Sequence, residues 1–432
     1  MTTWYVNTTG SNSNVGDRDD APFLTIGKAF TQLVSGDTVR IFAGTYTESN
    51  LDPGAVNNIK VVNFGDGLVV IDGNAGSGST LGNTIQARTD WVIDGSTGSN
   101  LQNIEIIGGS ESCVVGQGRA NRSYSLKHVI LTGRGSGDLS DDDNSSRYGM
   151  KFPSTSTVRN CVFRNFNRSA LVDSGNPGPI YFHNNIIYRI GKSGNTYDII
   201  DHEDAANEII YNTIVGCTGS SGIDINAAVN PTIKNNLLAH NNFSDSGIRF
   251  TGVTNLEYNC VYSSLNAPTN GAYNDLGAGT IDSSNLEVDP IFKNANPWDE
   301  IFDSSVSGDF SVNGGKQHYP ESTRISDQSP ILTSGIRILN ITTDFSGSTR
   351  APNPTIGALN GGSSALLFNT APTGDGLADK ILGDFTINHF NRISDELPRS
   401  VDQIPFSRAI AGPSSLKDRT TAYKLEKGKE GS

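Results

Sequence analysis

A short apolar strand that ends in, or follows, an asparagine returns again and again through the middle of this chain. Between residues 157 and 264 it reads TVRNCVFRNF, IYFHNNIIYRI, NEIIYNTIVGC, PTIKNNLLAHN and TNLEYNCVYSS. Alignment on the residue before the inner apolar pair gives Asn160, Asn185, Asn212, Asn236 and Asn259, and Asn103 and His128 extend the series upstream, with steps of 23 to 32 residues. A unit this short holds only two or three strands and cannot bury its own apolar face, so successive copies must stack into a continuous core.

The strands are rich in Ile, Val and Leu and are followed by Gly, Asn or Ser, while helical periodicity is nearly absent. This predicts an all-β chain, a right-handed, single-stranded parallel β-helix whose equivalent strands pair in parallel, roughly 4.8 Å apart. Asn103, Asn160, Asn185, Asn212, Asn236 and Asn259 are expected to form a ladder of side-chain amides at one turn. Near the start, Ile26, Ala29, Phe30 and Leu33 lie on one helical face behind Thr25, which reads as the N-cap of a helix closing the open end of the solenoid. The expected organisation is an N-terminal strand, capping helix and first rung over 1–58, rungs over 59–283, closing rungs and a cap over 284–362, and an extended C-terminal arm over 363–432 with no rung period.

The chain carries a net charge of −13 with only 18% charged residues. That balance argues against nucleic acid and anionic membrane surfaces, both of which require a basic face. No stretch reads as a secretory signal and no run approaches transmembrane length. Four cysteines, Cys113, Cys161, Cys217 and Cys260, are expected as buried thiols. Cys161 and Cys260 should share one inward rung position, four rungs or roughly 19 Å apart, too far for a disulfide.

The opening stretch, with Gly10, Gly16, Pro22, Thr25, Ile26, Ala29, Gly36, Asp37, Val39, Gly44, Thr45 and Tyr46, resembles that of the pectin-lyase-like β-helix superfamily, in its alginate-lyase and chondroitinase-type branch. Val288–Phe292, Gly308–Val312, Ser329–Gly335 and Asp344–Ala358 are similar to that branch's closing segments. The resemblance spans about residues 4–360 and implies the fold. It leaves activity open, because the superfamily hosts lyases, hydrolases, epimerases and virion proteins. Its catalytic motifs do not map onto this chain residue by residue.

A second strand series, YGMKF, SALVD, YDIID, SGIDIN and SGIRF, runs between the ladder strands. With Ile223, Ile225, Ile248 and Phe250 inward, Asp224 and Arg249 point outward from adjacent rungs. Lys151 takes the equivalent place further up, and Asp201, His202 and Glu203 lie on the rung before Asp224. Carboxylates, an imidazole and a guanidinium on one face suit either the cation and base of a polysaccharide lyase or the two carboxylates of a glycosidase. Asp201, His202, Glu203, Asp224 and Arg249 are therefore the candidate catalytic residues, with Lys151, Asp173 and Asn226 as candidate carbohydrate contacts. No cofactor is required. An acidic loop with Asp141, Asp142 and Asp143 offers oxygen ligands of the kind Ca²⁺ takes, although a solvated turn has the same composition.

These features lead to the expectation of a virion-associated protein, a phage tail spike, fibre or capsid-surface component at a virion surface or in an extracellular setting. It would present a face to host surface polysaccharide, with depolymerase activity as an option. Its C-terminal arm would meet other virion proteins, and it would form a homo-oligomer, with a trimer as one form. The alternatives are a polysaccharide lyase or glycoside hydrolase acting on an acidic polysaccharide, and a purely structural decoration protein.

Overall fold

The computed structural model describes residues 1–54, 56–73, 82–87, 90–96, 102–116, 123–133, 147–152, 155–173, 178–191, 196–202, 207–225, 231–251, 255–262, 268–276, 281–292, 326 and 328–359. The chain divides into units Met1–Ala371 and Pro372–Ser432. The expected C-terminal arm, like Glu203, Asn226, Asp141, Asp142 and Asp143, lies outside the described residues.

Among the described residues there are three sheets of ten, nine and eight strands, and every strand pairing in them is parallel. The chain visits them cyclically. Ser156–Arg159 belongs to the first sheet, Val162–Arg164 to the second and Ser169–Asp173 to the third, before Ile180–His183 returns to the first beside Ser156–Arg159. This is a parallel β-helix, as the repeat predicts, with the right-handed coil that parallel crossovers take. The core is the stack of inward residues, including Val158, Phe182, Ile209 and Ile233 from the first sheet and Phe163, Ile187, Ile214 and Leu238 from the second.

The corners are set by single residues in the left-handed backbone region. Between the first and second sheets these are His128, Asn160, Asn184, Tyr211, Asn235 and Tyr258, with φ from 52° to 58°. Between the second and third they are Asn165, Arg189, Gly216 and His240, each five residues after its counterpart. Asn accepts this conformation more readily than most residues because its short side chain bonds locally.

That second use of Asn corrects the ladder. Val162 pairs with Ile186, and successive partners are Thr213, Leu237 and Cys260, so the residues one step earlier are Cys161, Asn185, Asn212, Asn236 and Asn259. The amide column is Asn185, Asn212, Asn236, Asn259 and, one rung further, Asn285. Each Asn Oδ1 accepts from the backbone N–H of the preceding member, and Cys161 N–H donates to Asn185 Oδ1 at 3.0 Å. Asn160 is the corner residue instead, and its Nδ2 lies 2.9 Å from His128 Nε2. Asn103 precedes Ile104, the partner of Val129, and so shares the register of His128 and not of the ladder.

The one-residue offset also separates the cysteines. All four are free and buried. Cys161 packs in the interior, whereas Cys260 points through the other face of the second sheet, among Leu237, Ala239, Phe292, Ile331 and Ile356. The expectation that they share an inward position is therefore corrected.

The second sheet is largely apolar on both faces, the mark of a sheet covered on both sides, with Glu105, Thr132 and Arg164 bonded to one another on the outer one. Its outer residues Ile130, Val162, Ile186 and Tyr188 meet Phe345, Ala358 and Leu359, and Val215 and Leu237 meet Ile331 and Ile356. This covering stretch, within 328–359, is pinned by corner side chains. Asn235 both donates to Ile336 O and accepts from Ile336 N–H at 2.9 Å, and Asn184 Nδ2 donates to Thr343 O. The buried Arg350 guanidinium stacks 3.5 Å from the Tyr211 ring centroid and donates to Asn184 Oδ1, Gly357 O and Ala358 O. Burial lowers its pKa to about 10.

The early helix spans Ile26–Phe30 and is capped as expected, with Thr25 Oγ1 accepting from Lys28 N–H. Its buried residues Ile26, Ala29 and Phe30 join the core.

Candidate functional site

The third sheet places the site. Its strands stack so that Gln86, Val115, Lys151, Val172, Asp201, Asp224, Arg249 and Asn274 form one in-register row. Strand alternation turns Ile200, Ile223 and Ile248 into the core and this row outward. The sequence expectation for Asp201, Asp224, Arg249 and Lys151 matches this placement.

Arg249 is the hub of the row. Its Nε and Nη2 donate to the two oxygens of Asp224 at 2.9 and 2.6 Å, Nη1 reaches Asp245 Oδ2 at 3.0 Å, and Nη2 reaches Asp198 Oδ2 at 3.3 Å. These carboxylates, Asp224 foremost, raise its pKa. A guanidinium held by a two-pronged carboxylate contact is geometrically fixed. Asp245 reaches it because of a bulge. Gly219 pairs with Phe243 but Ser221 pairs with Ser246, so the strand Asn242–Phe250 carries one extra residue and brings Asp245 back toward Arg249.

Asp198, Asp201 and Asp224 each offer a carboxylate oxygen, and these three atoms lie within 4.8 Å of one another. Asp198 is buried, its Oδ1 accepting from Ser221 N–H at 2.7 Å. Burial, and then the charge of Asp224, raises the Asp198 pKa. The arrangement therefore contains a carboxyl group that burial shifts toward its neutral form beside two others, the kind of environment that acid–base chemistry uses. Beside it, Tyr197 is 39% exposed, and the Arg168 guanidinium lies 4.3 Å from its ring centroid and 5.9 Å from that of Tyr148.

His202 does not share the outer face, which corrects the sequence expectation. It follows Asp201 by one residue, so alternation turns it inward, in register with Ile225 and Phe250. There it is buried, with Nδ1 3.1 Å from Asn207 Nδ2. Lys151 stands two strands above Asp201, roughly 10 Å away, with its ammonium 3.5 Å from Glu111 Oε1 and 5.7 Å from the Tyr148 ring centroid. Asp173 ends its strand one residue past the row. Sequence reasoning missed Asp198, Asp245 and Tyr197. Asp198 was within reach, since alignment of YDIID with SGIDI and SGIRF sets it against Ser221 and Ser246.

Three oxygens at this spacing are about half of the six to eight that Ca²⁺ takes. Arg249 already supplies positive charge to two of the three carboxylates. The donor set thus suits a divalent cation only if water or a ligand completes the shell.

No family model and no curated protein matches the sequence. Among solved structures the chain is similar to pectate lyase Pel9A, at 15% identity over 84% of this chain and 96% of that one, with a TM-score of 0.36. It is also similar to a rhamnogalacturonan lyase, at 13% identity, 88% and 98% coverage and a TM-score of 0.38. A third is the GH136 lacto-N-biosidase from Eubacterium ramulus, at 11% identity, 67% and 68% coverage and a TM-score of 0.42. What the chain itself displays, in strand order, register and amide column, is a three-sheet parallel β-helix.

Proposed function

We propose that the outer face of the third sheet binds a polysaccharide and that Asp198 and Asp201 cleave its glycosidic bonds by hydrolysis. The observation that carries this reading is the trio Asp198, Asp201 and Asp224 with oxygens within 4.8 Å, in which burial pushes Asp198 toward its protonated form. Asp198 would donate a proton to the leaving sugar oxygen. Asp201, half-exposed on the row, would act as nucleophile, and Asp198, once deprotonated, would draw the proton from the water that releases the sugar. Oxygens within 4.8 Å leave no room for the water of an inverting pair and suit the retaining mechanism, whose pairs stand roughly 5 to 5.5 Å apart. Asp224, clamped by Arg249, positions the group and accepts sugar hydroxyls. Tyr197 offers an exposed ring for a sugar face to stack on.

A lyase reading rests on the same trio as a cation site, where the metal would neutralise a uronate carboxylate. The setting we propose is a virion surface, with host polysaccharide as the ligand and 363–432 as the arm that meets other virion proteins or further copies of the chain. A column of stacked rungs withstands proteolysis and slow unfolding, which such a setting demands.

The test is incubation of the purified protein with capsular polysaccharide, alginate, pectin and chondroitin. New reducing ends that disappear in Asp201→Asn and Asp198→Asn support hydrolysis. Unsaturated products abolished by a chelator support the lyase reading. Activity that survives both substitutions would remove this site, and absence of both activity and binding would remove the function.

A further inference from the structure

The first five of the strands that follow Thr3–Val6 in the first sheet carry more cations than acids on their outer face, against the chain's net negative charge. Over five adjacent strands, Thr38–Ile41, Lys60–Asn63, Trp91–Asp94, Tyr124–Lys127 and Ser156–Arg159, the outer residues form two rows. One is Thr38, Lys60, Val92, Ser125 and Thr157, and the other Arg40, Val62, Asp94, Lys127 and Arg159. Four of the ten are cations and one is an acid, on a chain whose net charge is −13.

That single acid is shared: it lies beside Lys127 on the adjacent strand, where it favours the charged ammonium, and it serves other groups as well. Asp94 is engaged by His128 Nδ1 at 3.2 Å and by Ser96 N–H at 3.0 Å. Among the described residues, Lys127 and Arg159 make no ion pair, in contrast to Arg249, Arg164 and Lys234, which all do. Lys127 and Arg159 are direct partners on adjacent strands, where like charges repel. Burial, and then the charge of Arg159, lowers the Lys127 pKa against the opposing pull of Asp94, and Lys60 adds a smaller push in the same direction as Arg159. The pattern ends at the next strand, where His183 meets Glu208 at 3.2 Å.

We propose that this stripe, Arg40, Lys60, Lys127 and Arg159, is a second glycan-binding surface, selective for an anionic polysaccharide bearing sulfate or carboxylate groups. The four cations run along the helix axis over roughly 19 Å at one rung per ~4.8 Å. An extended polymer with charges at a regular repeat can meet several of them at once. The negative charge elsewhere does not forbid this, because it is screened beyond roughly 8 Å at physiological salt. It does disfavour a nucleic acid duplex, whose charge is dense and broad enough to meet the acidic surroundings.

The test measures affinity of the full chain for heparin, alginate, polygalacturonate, neutral dextran and duplex DNA over a series of salt concentrations. The expected result is binding to at least one of the three anionic glycans, with no binding to dextran. Lys127→Gln with Arg159→Gln should weaken that binding at least tenfold and reduce the slope of log affinity against log salt by about 2, one per lost contact. Lys234→Gln, which removes a cation of the same sheet that is already paired with Glu257, should leave it unchanged, which ties the effect to the stripe and not to positive charge in general. No binding to any anionic glycan at low salt would overturn the proposal. So would equal binding of DNA, or an affinity unmoved by the double substitution.

Discussion

Replacing Asn212 with alanine tests how much of the fold rests on the amide column. Asn212 Nδ2 donates to Phe182 O at 2.8 Å and to Asn236 Oδ1 at 3.0 Å, while Asn212 Oδ1 accepts from Asn185 N–H at 2.9 Å and from Asn185 Nδ2 at 3.0 Å. After the change Asn236 Oδ1 still accepts from the backbone of residue 212, and Asn185 Nδ2 still reaches Val158 O. One buried group, the N–H of Asn185, loses its partner, while the carbonyl of Phe182 gives up an extra donor but keeps its place in the ladder with the strand of Ile209. At about 1–3 kcal/mol for the stranded N–H, plus the small void left by the amide, the loss is about 2–4 kcal/mol. Asn285, the last member, is half-exposed and water can replace its contacts, so Asn285→Ala should cost only about 1 kcal/mol. Guanidinium unfolding followed by circular dichroism would give the two losses, and exchange of the Asn185 amide would report on the local bond. Equal effects of the two substitutions, or an unchanged Asn185 exchange rate, would refute the idea that the column acts through buried, water-inaccessible bonds.

Arg350→Met should loosen the covering stretch, since the buried guanidinium bonds Asn184 and two carbonyls. A loss of about 3 kcal/mol or more is expected, with new protease cleavage within 328–359 and unchanged cleavage elsewhere. Tyr258→Asn should gain up to ~1 kcal/mol by easing a left-handed corner at φ 56°, whereas Tyr211→Asn at φ 58° should lose stability, because the Tyr211 hydroxyl donates to Ile336 O. For Asp198, whose folded-state pKa is raised, the native state binds the proton more tightly than the unfolded chain, so stability falls as pH rises through the carboxylate range. Asp198→Asn should therefore be more stable than the wild type at neutral pH, with the difference closing at acid pH, as read from thermal midpoints across pH. Cys161, Cys217 and Cys260, their thiols pushed up to about 12 by burial, should resist alkylation until the chain is unfolded.

Much of this architecture is written locally. The alternation in YDIID, SGIDI and SGIRF suffices to put Asp224 and Arg249 on an outer row and Ile223 and Ile248 in the core, because side chains on a strand alternate whatever lies around them. The same rule, applied strictly, would have turned His202 inward.

What one rung alone cannot specify is its register against the next. Asn suits both the left-handed corner and the ladder, so TVRNCVF and FHNNIIY align in two ways one residue apart, and only the stacked backbone bonds select the one that makes Cys161 a ladder position and Asn160 a corner. Long-range packing likewise decided that the apolar outer face of the second sheet is covered by a stretch over a hundred residues away from Asn235 and Tyr211. It also gathered Asp198, Asp224 and the pair Asp245 and Arg249 from three places in the chain. The repeat thus determined the kind of coil from sequence alone. The partners of each side chain across rungs depend on distances that exist only once the rungs are stacked.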